Sequence, residues 1–444
     1  MNELSRPNNL PNNLGAYWMP YTANRAFKEA PRMLARAAGM YYYTNDNREI
    51  LDGTAGLWCC NAGHGRREIV EAIQNQAAVM DFAPSFMMGH PIAFQAAARL
   101  AEILPPPLER VFWTNSGSES ADTALKIALA YHRARGEAQR VRLVGRERGY
   151  HGVGFGGMSV GGIGPNRRQF GAMLPYIDHL PHTHDMGRAF TAGQPAEGAH
   201  LADALEGIIA LHGGDTIAAV MVEPLAGSTG VLVPPVGYLD RLRALCTKHG
   251  ILLIFDEVIT GFGRLGMNFG AERFGVVPDL MTMAKGLTNA AVPMGAVAAT
   301  DAVYSTIVDG SPEGIELFHG YTYSGHPLAC AAAIASMDLQ RSDDLPGRAL
   351  AMEQYFGDAV HSLRGLPNVV DVRNLGMVAG IEMAGRPGKP TQRAGAVLQR
   401  CFDAGVLVRT TGDIVALSPP LIVERHQVDR IVETLGDAIR AEAA

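Results

Sequence analysis

A serine- and glycine-rich segment joins an apolar run to a predicted helix. Residues 114–118 read Thr-Asn-Ser-Gly-Ser and lie between the run 110–113 and a helix over 119–135. The first N–H groups of a helix have no partner inside it, and the helix dipole is positive at that end. A phosphate or carboxylate could therefore bind at Gly117 and Ser118. Taken alone, the segment fits an ordinary helix N-cap better, because caps far outnumber anion sites.

An aspartate and a lysine follow two further apolar runs. Asp256 comes after the run 251–255, and Lys285 comes after the run 280–284. A carboxylate at the end of a buried strand either needs a cationic N–H partner, such as a protonated pyridine ring, or caps the following loop. Burial of a lysine lowers its pKa and makes the amine nucleophilic. An anion seat, a strand-end aspartate and a strand-end lysine, in this order, are the set that pyridoxal-phosphate chemistry requires.

An alternating pattern of helices and short apolar runs must position these residues. Apolar runs without polar alternation are typical of strands buried on both faces of a parallel sheet, so the sequence predicts an α/β core. The predicted helices of this core are 67–80, 92–104, 119–135, 201–211 and 238–249. The predicted strands are 110–114, 141–145, 217–222, 251–255, 280–283 and 295–299.

The two ends of the chain have different patterns. Residues 40–43 and 50–51 predict a hairpin with its turn at 45–47, preceded by an arm without clear periodicity. After residue 326, a helix over 328–340 leads into a smaller α+β pattern. Its predicted strands lie near 369–373, 377–382, 406–409 and 414–417, with a helix over 391–404. We expect an arm and part of a small domain in 1–65, a large cofactor-binding domain in 66–326 and a C-terminal small domain in 327–444.

Composition narrows the class of protein. The 444 residues are 47% hydrophobic and 18% charged, with a formal net charge of −6 and no acidic or basic block. This balance argues against nucleic acid or a membrane surface as the main partner, and 51 glycines with few charges suggest surface hidden against another subunit. The five scattered cysteines, without a C-x-x-C pair, fit reduced thiols. With no signal peptide or membrane span, we expect a cytoplasmic location.

The segment around Asp256 extends into a pattern that resembles the class III aminotransferases of pyridoxal-phosphate fold type I. Residues 255–264 read FDEVITGFGR, with Lys285 downstream. The likeness covers nearly the whole chain and is greatest for the ω-amino acid–pyruvate, or β-alanine–pyruvate, subgroup. Ile259 lies where many class III members have Gln. Because Ile also occurs there among the β-alanine–pyruvate-like members, it favours this subgroup. Further matching stretches are 17–22 (YWMPYT), 56–58 (GLW), 62–65 (AGHG), 149–152 (GYHG), 222–227 (VEPLAG) and 319–324 (HGYTYS).

The resemblance implies a fold and a set of site residues. The fold would have a large domain with a mostly parallel seven-stranded sheet and a smaller α+β domain built from both chain ends. Lys285 would hold the cofactor as a Schiff base and serve as the general base, while Asp256 would pair with the pyridine nitrogen. The other implied cofactor contacts are Gly117, Ser118, Tyr150, His151, Glu223, Val258 and, from the neighbouring subunit, Thr322. The implied substrate contacts are Trp58, Phe86, Tyr150 and Arg409.

The same resemblance implies an activity. The enzyme would move an amino group from an ω-amino acid such as β-alanine, or from a primary amine, to pyruvate, giving an aldehyde or ketone and L-alanine by a ping-pong mechanism. Arg409 would bind a carboxylate and swing aside for uncharged amines. Taurine–pyruvate or diamine–pyruvate transamination stays an alternative, whereas an aminomutase, a decarboxylase or a non-catalytic homologue fits the subgroup less well. A shared site implies a homodimer, and such dimers often pair into tetramers.

Two other patterns fit alternative functions poorly. Residues 152–157 match G-x-G-x-x-G, but Gly161, Gly162 and Gly164 follow instead of an apolar helix, which indicates a flexible loop rather than a dinucleotide site. His179, His182 and His184 lie around Pro181 at a spacing that matches no zinc motif, and we interpret them as solvated loop histidines. The sequence therefore predicts neither a dehydrogenase nor a bound metal.

Overall fold

The computed structural model of the protein describes residues 13–311 and 314–443. Its strands are β1 (Leu34–Ala38), β2 (Tyr41–Thr44), β3 (Glu49–Asp52), β4 (Leu108–Thr114), β5 (Arg142–Arg146), β6 (Ile177–Leu180), β7 (Ile217–Val222), β8 (Leu252–Asp256), β9 (Leu280–Met283), β10 (Gly295–Thr300), β11 (Val369–Leu375), β12 (Val378–Met383), β13 (Val406–Leu407), β14 (Arg409–Thr411) and β15 (Ile414–Leu417).

The helices of the same part of the chain alternate with these strands. They are α1 (Asn24–Glu29), α2 (Ala55–Trp58), α3 (Arg67–Val79), α4 (Pro91–Ala101), α5 (Gly117–Ala134), α6 (Phe155–Val160), α7 (Gly164–Arg168), α8 (Ala204–His212), α9 (Tyr238–His249), α10 (Gly270–Phe274), α11 (Asp301–Gly310), α12 (Pro327–Ser342), α13 (Leu345–His361), α14 (Gln392–Asp403) and α15 (Arg425–Ala441). Among the described residues, none of these helices combines the length and apolar character that crossing a lipid bilayer requires.

A seven-stranded sheet forms the centre of the larger part of the molecule. Its strand order is β4-β10-β9-β8-β7-β5-β6. β10 is antiparallel to both β4 and β9, and the other neighbouring strands are parallel. β7, β8, β9 and β10 are buried along their whole length, as expected where helices cover both faces of a sheet. The predicted α/β fold with a mostly parallel seven-stranded sheet is confirmed.

Helix α9 shows how the sequence sets these elements. Its apolar residues Leu239, Leu242 and Leu245 recur at helical spacing and are buried against the sheet. Gly250 follows the last turn with a φ of 64°, a left-handed conformation that glycine adopts at little cost and that ends the helix. The predicted helix 238–249 is therefore reproduced at both ends.

Both ends of the chain build the smaller part of the molecule. A sheet in the order β1-β2-β3-β13 joins N-terminal strands to a C-terminal strand, which pairs with β3 in parallel. A second, antiparallel sheet has the order β11-β12-β15-β14. One hydrophobic cluster combines Met40, Leu51 and Ala62 with apolar residues between 345 and 439. The small α+β domain built from both ends is confirmed, while the boundaries after residues 65 and 326 stay a prediction.

The structure differs from the sequence-based prediction at the glycine-rich segment after residue 152. We predicted a flexible loop, but residues 155–160 form α6, which is largely buried. A Cβ on Gly156 would lie 2.7 Å from the Asp122 carboxylate, and one on Gly157 would collide with the His151 carbonyl. These glycines therefore permit close packing of α6 and do not indicate flexibility.

The histidines around Pro181 also differ from the prediction of solvated loop residues. His179 lies on β6, its ring nitrogen is 3.0 Å from the Gly161 carbonyl, and burial lowers its pKa. His184 is mostly buried, and its Nε2 lies 3.6 Å from the Glu382 carboxylate. Arg373 pairs with Glu382 at 2.7 Å, so the ring borders an ion-pair network between the two parts of the chain. Packing of distant segments buries side chains that local polarity suggested would be solvated.

Candidate active site

A cavity of about 510 Å³ lies at the carboxyl ends of β5, β7, β8 and β9. This is the edge where open parallel sheets bind ligands. The cavity is lined by Gly117, Ser118, Tyr150, His151, Gly152, Glu223, Asp256, Val258, Ile259, Ala284 and Lys285. The structure thus brings together most of the site residues predicted from the sequence, although they come from four separate strand ends and one helix.

Lys285 follows β9 and begins a short 3₁₀ turn that runs to Thr288. Its φ is 48°, a left-handed conformation that costs a residue other than glycine about 1–3 kcal/mol. Such strain persists where the surrounding structure fixes the backbone, and it concentrates at functional sites. Burial lowers the pKa of Lys285 to about 8, so that the amine is uncharged in a much larger fraction of molecules than an exposed lysine near neutral pH.

Asp256 ends β8 and is held by two fixed donors. Its Oδ2 lies 2.8 Å from Nδ1 of His151, and its Oδ1 accepts a hydrogen bond from the Val258 N–H at 3.1 Å. Both Asp256 and His151 are buried, and Nε2 of His151 has no hydrogen-bond partner in the structure. These contacts fix the direction of the carboxylate before any ligand arrives.

Glu223 brings a second buried carboxylate to the neighbouring strand end. It accepts hydrogen bonds from the N–H groups of Tyr150 at 2.9 Å and Gly227 at 3.0 Å. Burial raises the pKa of Glu223, and the charge of Asp256 acts in the same direction. Glu223 thereby holds the Tyr150 backbone at the wall of the cavity.

The first turn of α5 lies where the sequence predicts an anion seat. Ser116 caps the helix, because its hydroxyl accepts a hydrogen bond from the Glu119 N–H at 3.2 Å. Gly117 and Ser118 come next and line the cavity. A Cβ on Gly117 would lie 3.1 Å from Val258, so glycine lets the helix start approach the cavity floor. The N-cap is therefore present at Ser116, and it leaves Gly117 and Ser118 facing the cavity, where the anion seat stays a prediction.

Four predicted site residues lie outside the lining of this cavity, namely Trp58, Phe86, Thr322 and Arg409. Trp58 is buried in a hydrophobic cluster that includes the cavity-lining residue Ile259. Phe86 is 58% exposed and lines a separate apolar groove of about 680 Å³ with Trp113 and Gly320. Thr322 is also exposed. Phe86 therefore lies at a surface groove and Trp58 lies in the core of this chain, and the prediction that they wall the substrate pocket stays a prediction.

Arg409 and Tyr21 approach the cavity from the smaller part of the molecule. Arg409 lies on β14, and burial lowers its pKa while the Tyr150 hydroxyl partly offsets this effect. Burial raises the pKa of Tyr150 to about 12, and the neighbouring Tyr21 contributes to this rise. Sequence reasoning placed Tyr21 in an arm but assigned it no site role. The aromatic run 17–21 was the available signal, since an exposed arm rich in aromatic residues needs a surface to cover.

Comparison with known proteins decides the family. The model of the family "Aminotransferase class-III" matches residues 22–439. The chain belongs to this family. Class III aminotransferases depend on pyridoxal phosphate, which confirms the predicted cofactor and the predicted enzyme class. The corresponding solved structures share the whole fold and not only the cavity.

Individual relatives agree with the family match over almost their full length. The chain is 65% identical to an omega-aminotransferase of Caulobacter vibrioides over 96% of this chain and 97% of that protein. It is 48% identical to a beta-alanine–pyruvate aminotransferase of Pseudomonas aeruginosa over 97% of each chain. The structure of an amine transaminase from an uncultivated Pseudomonas species, in its pyridoxal-phosphate-bound form, has a TM-score of 0.90 at 34% identity and covers 98% of this chain and 100% of that one.

The residues of the cavity fit this cofactor. A phosphate needs N–H donors, which the start of α5 offers beside Gly117 and Ser118. An aldehyde needs an uncharged amine, which the lowered pKa of Lys285 provides. A protonated ring nitrogen needs a fixed carboxylate, and Asp256 is the one that His151 orients. The aminotransferase therefore carries all three contacts in one cavity.

Proposed function

We propose that this aminotransferase moves the amino group of an ω-amino acid or a simple primary amine to pyruvate, giving an aldehyde or ketone and L-alanine. The observation that carries this proposal is the joint placement of Lys285 and Asp256 in one cavity with Arg409 beside it. Support for the substrates comes from relatives named for them. Beside the beta-alanine–pyruvate enzyme, an omega-amino acid–pyruvate aminotransferase of Pseudomonas putida is 46% identical.

Lys285 has two tasks in this proposal. Pyridoxal phosphate, when bound, supplies an aldehyde that captures amines and a protonated ring that accepts electron density. The Nζ atom of Lys285 holds the cofactor covalently at rest, which a neutral amine can do and an ammonium group cannot. The same Nζ, when not attached to the cofactor, would take the proton from the donor carbon as a general base. A pKa of about 8 suits this exchange near neutral pH.

Asp256 keeps a proton on the pyridine nitrogen in this proposal. Its carboxylate is directed by His151 and Val258, so no reorganisation is needed when negative charge develops across the cavity. Glu223 fixes the backbone of Tyr150, and the side chains of Tyr150 and Val258 would pack against the cofactor in the cavity that they line. Gly117 and Ser118 hold the phosphate at the positive end of α5. The shared effect of these contacts is to orient the reacting atoms and exclude water.

Arg409 binds the carboxylate of the acceptor in this proposal. A guanidinium matches a carboxylate with two parallel hydrogen bonds, and burial strengthens such pairs. No second fixed cation lines the described cavity, so dicarboxylates find only one partner there. Amines without a carboxylate are accommodated when Arg409 moves aside. The chain is 35% identical to a putrescine–pyruvate aminotransferase of Pseudomonas aeruginosa. A diamine is therefore the second candidate donor.

Alanine formation tests the proposed function, and Arg409→Ala sharpens the test. With β-alanine or 1-phenylethylamine as donor and pyruvate as acceptor, we expect one alanine for each donor consumed. In Arg409→Ala, kcat/KM for pyruvate should fall roughly 10- to 100-fold, because a buried charge-assisted hydrogen bond contributes about 1.5–3 kcal/mol. The measurement is steady-state alanine formation together with single-turnover loss of the bound cofactor's absorbance.

The uncharged donor is the internal control for Arg409→Ala. The half-reaction with 1-phenylethylamine has no carboxylate to lose, so its rate should stay within about threefold of the unchanged enzyme. An equal loss with both substrates would mean that Arg409 supports the fold and does not recognise carboxylates. Absence of alanine from every donor tested would remove pyruvate as the acceptor.

We also propose that two copies of the chain form a homodimer with shared sites. The described surface near Phe86 carries an apolar patch of Phe86, Met87, Met88, Phe94 and Phe318, exposed between 58% and 93%. Contiguous exposed apolar surface of this kind marks a protein interface. A partner copy on this patch would cover it and could bring Thr322 and Phe86 to the other subunit's cavity.

The five cysteines are free, which supports a reducing compartment, and we propose that the protein lies in the cytoplasm.

Light scattering after size-exclusion chromatography tests the dimer. We expect a particle of twice the 47.4 kDa chain mass or a multiple of it. Phe318→Glu should shift the particle toward the monomer, because it buries an unpaired charge in the interface. Leu211→Glu is the matched control, since Leu211 is 77% exposed on α8, outside the patch. A fully active monomer would contradict the shared site.

A further inference from the structure

Two adjacent cysteines lie in contact beside the catalytic lysine. Cys59 and Cys60 follow α2, and their Sγ atoms are 3.9 Å apart. Neighbouring side chains point to opposite faces in a strand and diverge by about 100° in a helix, so regular structure does not bring adjacent thiols together. Here the backbone is kinked, with a positive φ at Ala55, Gly56 and Trp58. A Cβ on Gly56 would lie at an ordinary contact distance of 3.5 Å from both sulfur atoms, so both thiols face this glycine.

The surroundings of the two thiols make them chemically different. Cys59 is partly exposed and Cys60 is buried. The Leu57 N–H donates a hydrogen bond to the Cys59 sulfur at 3.4 Å, and the positive charge of Lys285 also favours its thiolate. Contact with the Cys60 thiol lowers the pKa of Cys59, and the same contact raises the pKa of Cys60. Cys59 is the more exposed of the two, and its sulfur accepts the Leu57 N–H, so it is the thiol that a soluble oxidant reaches first.

The negative charge of Asp52 does not remove the difference between the two thiols. Asp52 raises the pKa of both thiols, but its carboxylate is already engaged. It accepts hydrogen bonds from the Thr54 hydroxyl at 3.0 Å and the Gly56 N–H at 2.7 Å, and it lies 2.8 Å from Nε2 of His64. Contact with Cys59 and burial raise the pKa of Cys60, and the buried guanidinium of Arg264 lowers it by a smaller effect. Both thiols remain available for chemistry that the transamination mechanism does not use.

We propose that Cys59 and Cys60 form a peroxide-reactive dithiol site, with Cys59 as the nucleophile and Cys60 as the resolving thiol. The Cys59 thiolate attacks one oxygen of hydrogen peroxide; an S–O bond forms, the O–O bond breaks, and the departing hydroxide takes a solvent proton to become water. The Cys60 sulfur then attacks the Cys59 sulfur. The S–S bond forms, the S–O bond breaks, and the hydroxyl leaves as water with the Cys60 proton. Two thiols lose two electrons, and one peroxide yields two waters.

The resulting bridge should be easily reversed and should affect turnover. Consecutive Cα atoms are about 3.8 Å apart, shorter than the separation of roughly 4.4–6.8 Å found across ordinary disulfides, so a bridge between neighbours is strained and readily reduced. Closing the 3.9 Å gap must also move the segment that carries Trp58 and lies beside Lys285. We expect oxidation to lower alanine formation and a dithiol reductant to restore it. Only this activity readout rests on the proposed function.

Peptide mass spectrometry of peroxide-treated holoenzyme tests the site independently of activity. Trypsin releases residues 49–66, which contain Cys59 and Cys60 and no other cysteine. We expect this peptide to lose two hydrogen atoms at a peroxide dose that leaves the three fully buried thiols of Cys246, Cys330 and Cys401 reduced. Dithiothreitol should return the mass to its starting value.

Single variants separate the two roles. In Cys60→Ser the resolving thiol is absent, so dimedone should trap a sulfenic acid on Cys59. In Cys59→Ser the same dose should leave Cys60 unmodified, and Cys246→Ser should behave as the unchanged enzyme does. Peptide 49–66 that stays reduced, an adduct that forms first on Cys60, or a bridge to another cysteine would overturn the proposal. A disulfide that forms without change in alanine formation would retain the site and refute its effect on turnover.

Discussion

Lys285→Ala loses transamination, and its cofactor stays bound only through non-covalent contacts. We expect turnover to fall by roughly 10⁴-fold or more, because one substitution removes both the covalent attachment and the general base, and a general base alone contributes about 10²–10⁴-fold. The strained backbone at residue 285 is preserved by the surrounding turn and does not depend on the amine. Steady-state alanine formation and the absorbance of the bound cofactor give the two readouts.

Lys248→Ala is the matched control for this variant. Lys248 lies in the last turn of α9, is exposed, and precedes the amino end of β8, whereas the cavity lies at the carboxyl end of that strand. Its loss should leave turnover within about threefold of the unchanged enzyme, as is usual for surface positions. Repeated turnover by Lys285→Ala at a rate within about 100-fold of the unchanged enzyme would mean that another group moves the proton.

Asp256→Asn retains the fold but loses most of its activity. The amide matches the carboxylate in shape, and its one carbonyl oxygen can still accept the hydrogen bond from the Val258 N–H, while its NH2 group can donate to Nδ1 of His151 in the other tautomer. It carries no charge, however, so it cannot stabilise a protonated ring nitrogen. We expect the half-reaction rate to fall about 10²–10³-fold, the usual effect of removing one group that stabilises developing charge. Single-turnover absorbance with a saturating amine measures this rate directly.

An exposed aspartate provides the control for charge removal. Asp437→Asn changes a side chain that is 80% exposed on α15 and pairs with Arg440, so it should leave both rate and thermal unfolding nearly unchanged. A rate within about threefold of the unchanged enzyme in Asp256→Asn would show that Asp256 only caps the loop after β8, which was the alternative interpretation of the sequence.

The sequence was sufficient for the strand ends because parallel strands share one edge. Asp256 and Lys285 each follow an apolar run, and β8 pairs with β9 in parallel, so their side chains meet at the same end of the sheet. The alternation of apolar runs and helices was equally informative for the central sheet. A local sequence pattern therefore predicts the position of a side chain where parallel pairing places the strand ends at one edge of the sheet.

The remaining parts of the site depend on contacts between distant segments. The left-handed φ of Lys285 and the kink before Cys59 are set by tertiary packing, which no local pattern reports. Arg409 reaches the cavity because the smaller part of the molecule folds against the sheet. His151 was predicted as a site residue only through the resemblance. Its contact with Asp256 forms because β5 and β8 lie on the two sides of β7, so that their carboxyl ends are close together. Phe86 and Thr322 lie on an exposed surface, which a second copy of the chain would cover in the proposed dimer.

Borohydride reduction of the holoenzyme, followed by peptide mass spectrometry, tests most directly whether Lys285 is the residue that binds the cofactor covalently. Reduction converts the reversible link between amine and aldehyde into a stable secondary amine, whose position can be sequenced. We expect the pyridoxyl mass on the peptide that contains Lys285 and on no other lysine-containing peptide. A tag on a different lysine, or complete release of the cofactor after reduction, would contradict the assignment of this cavity as the active site.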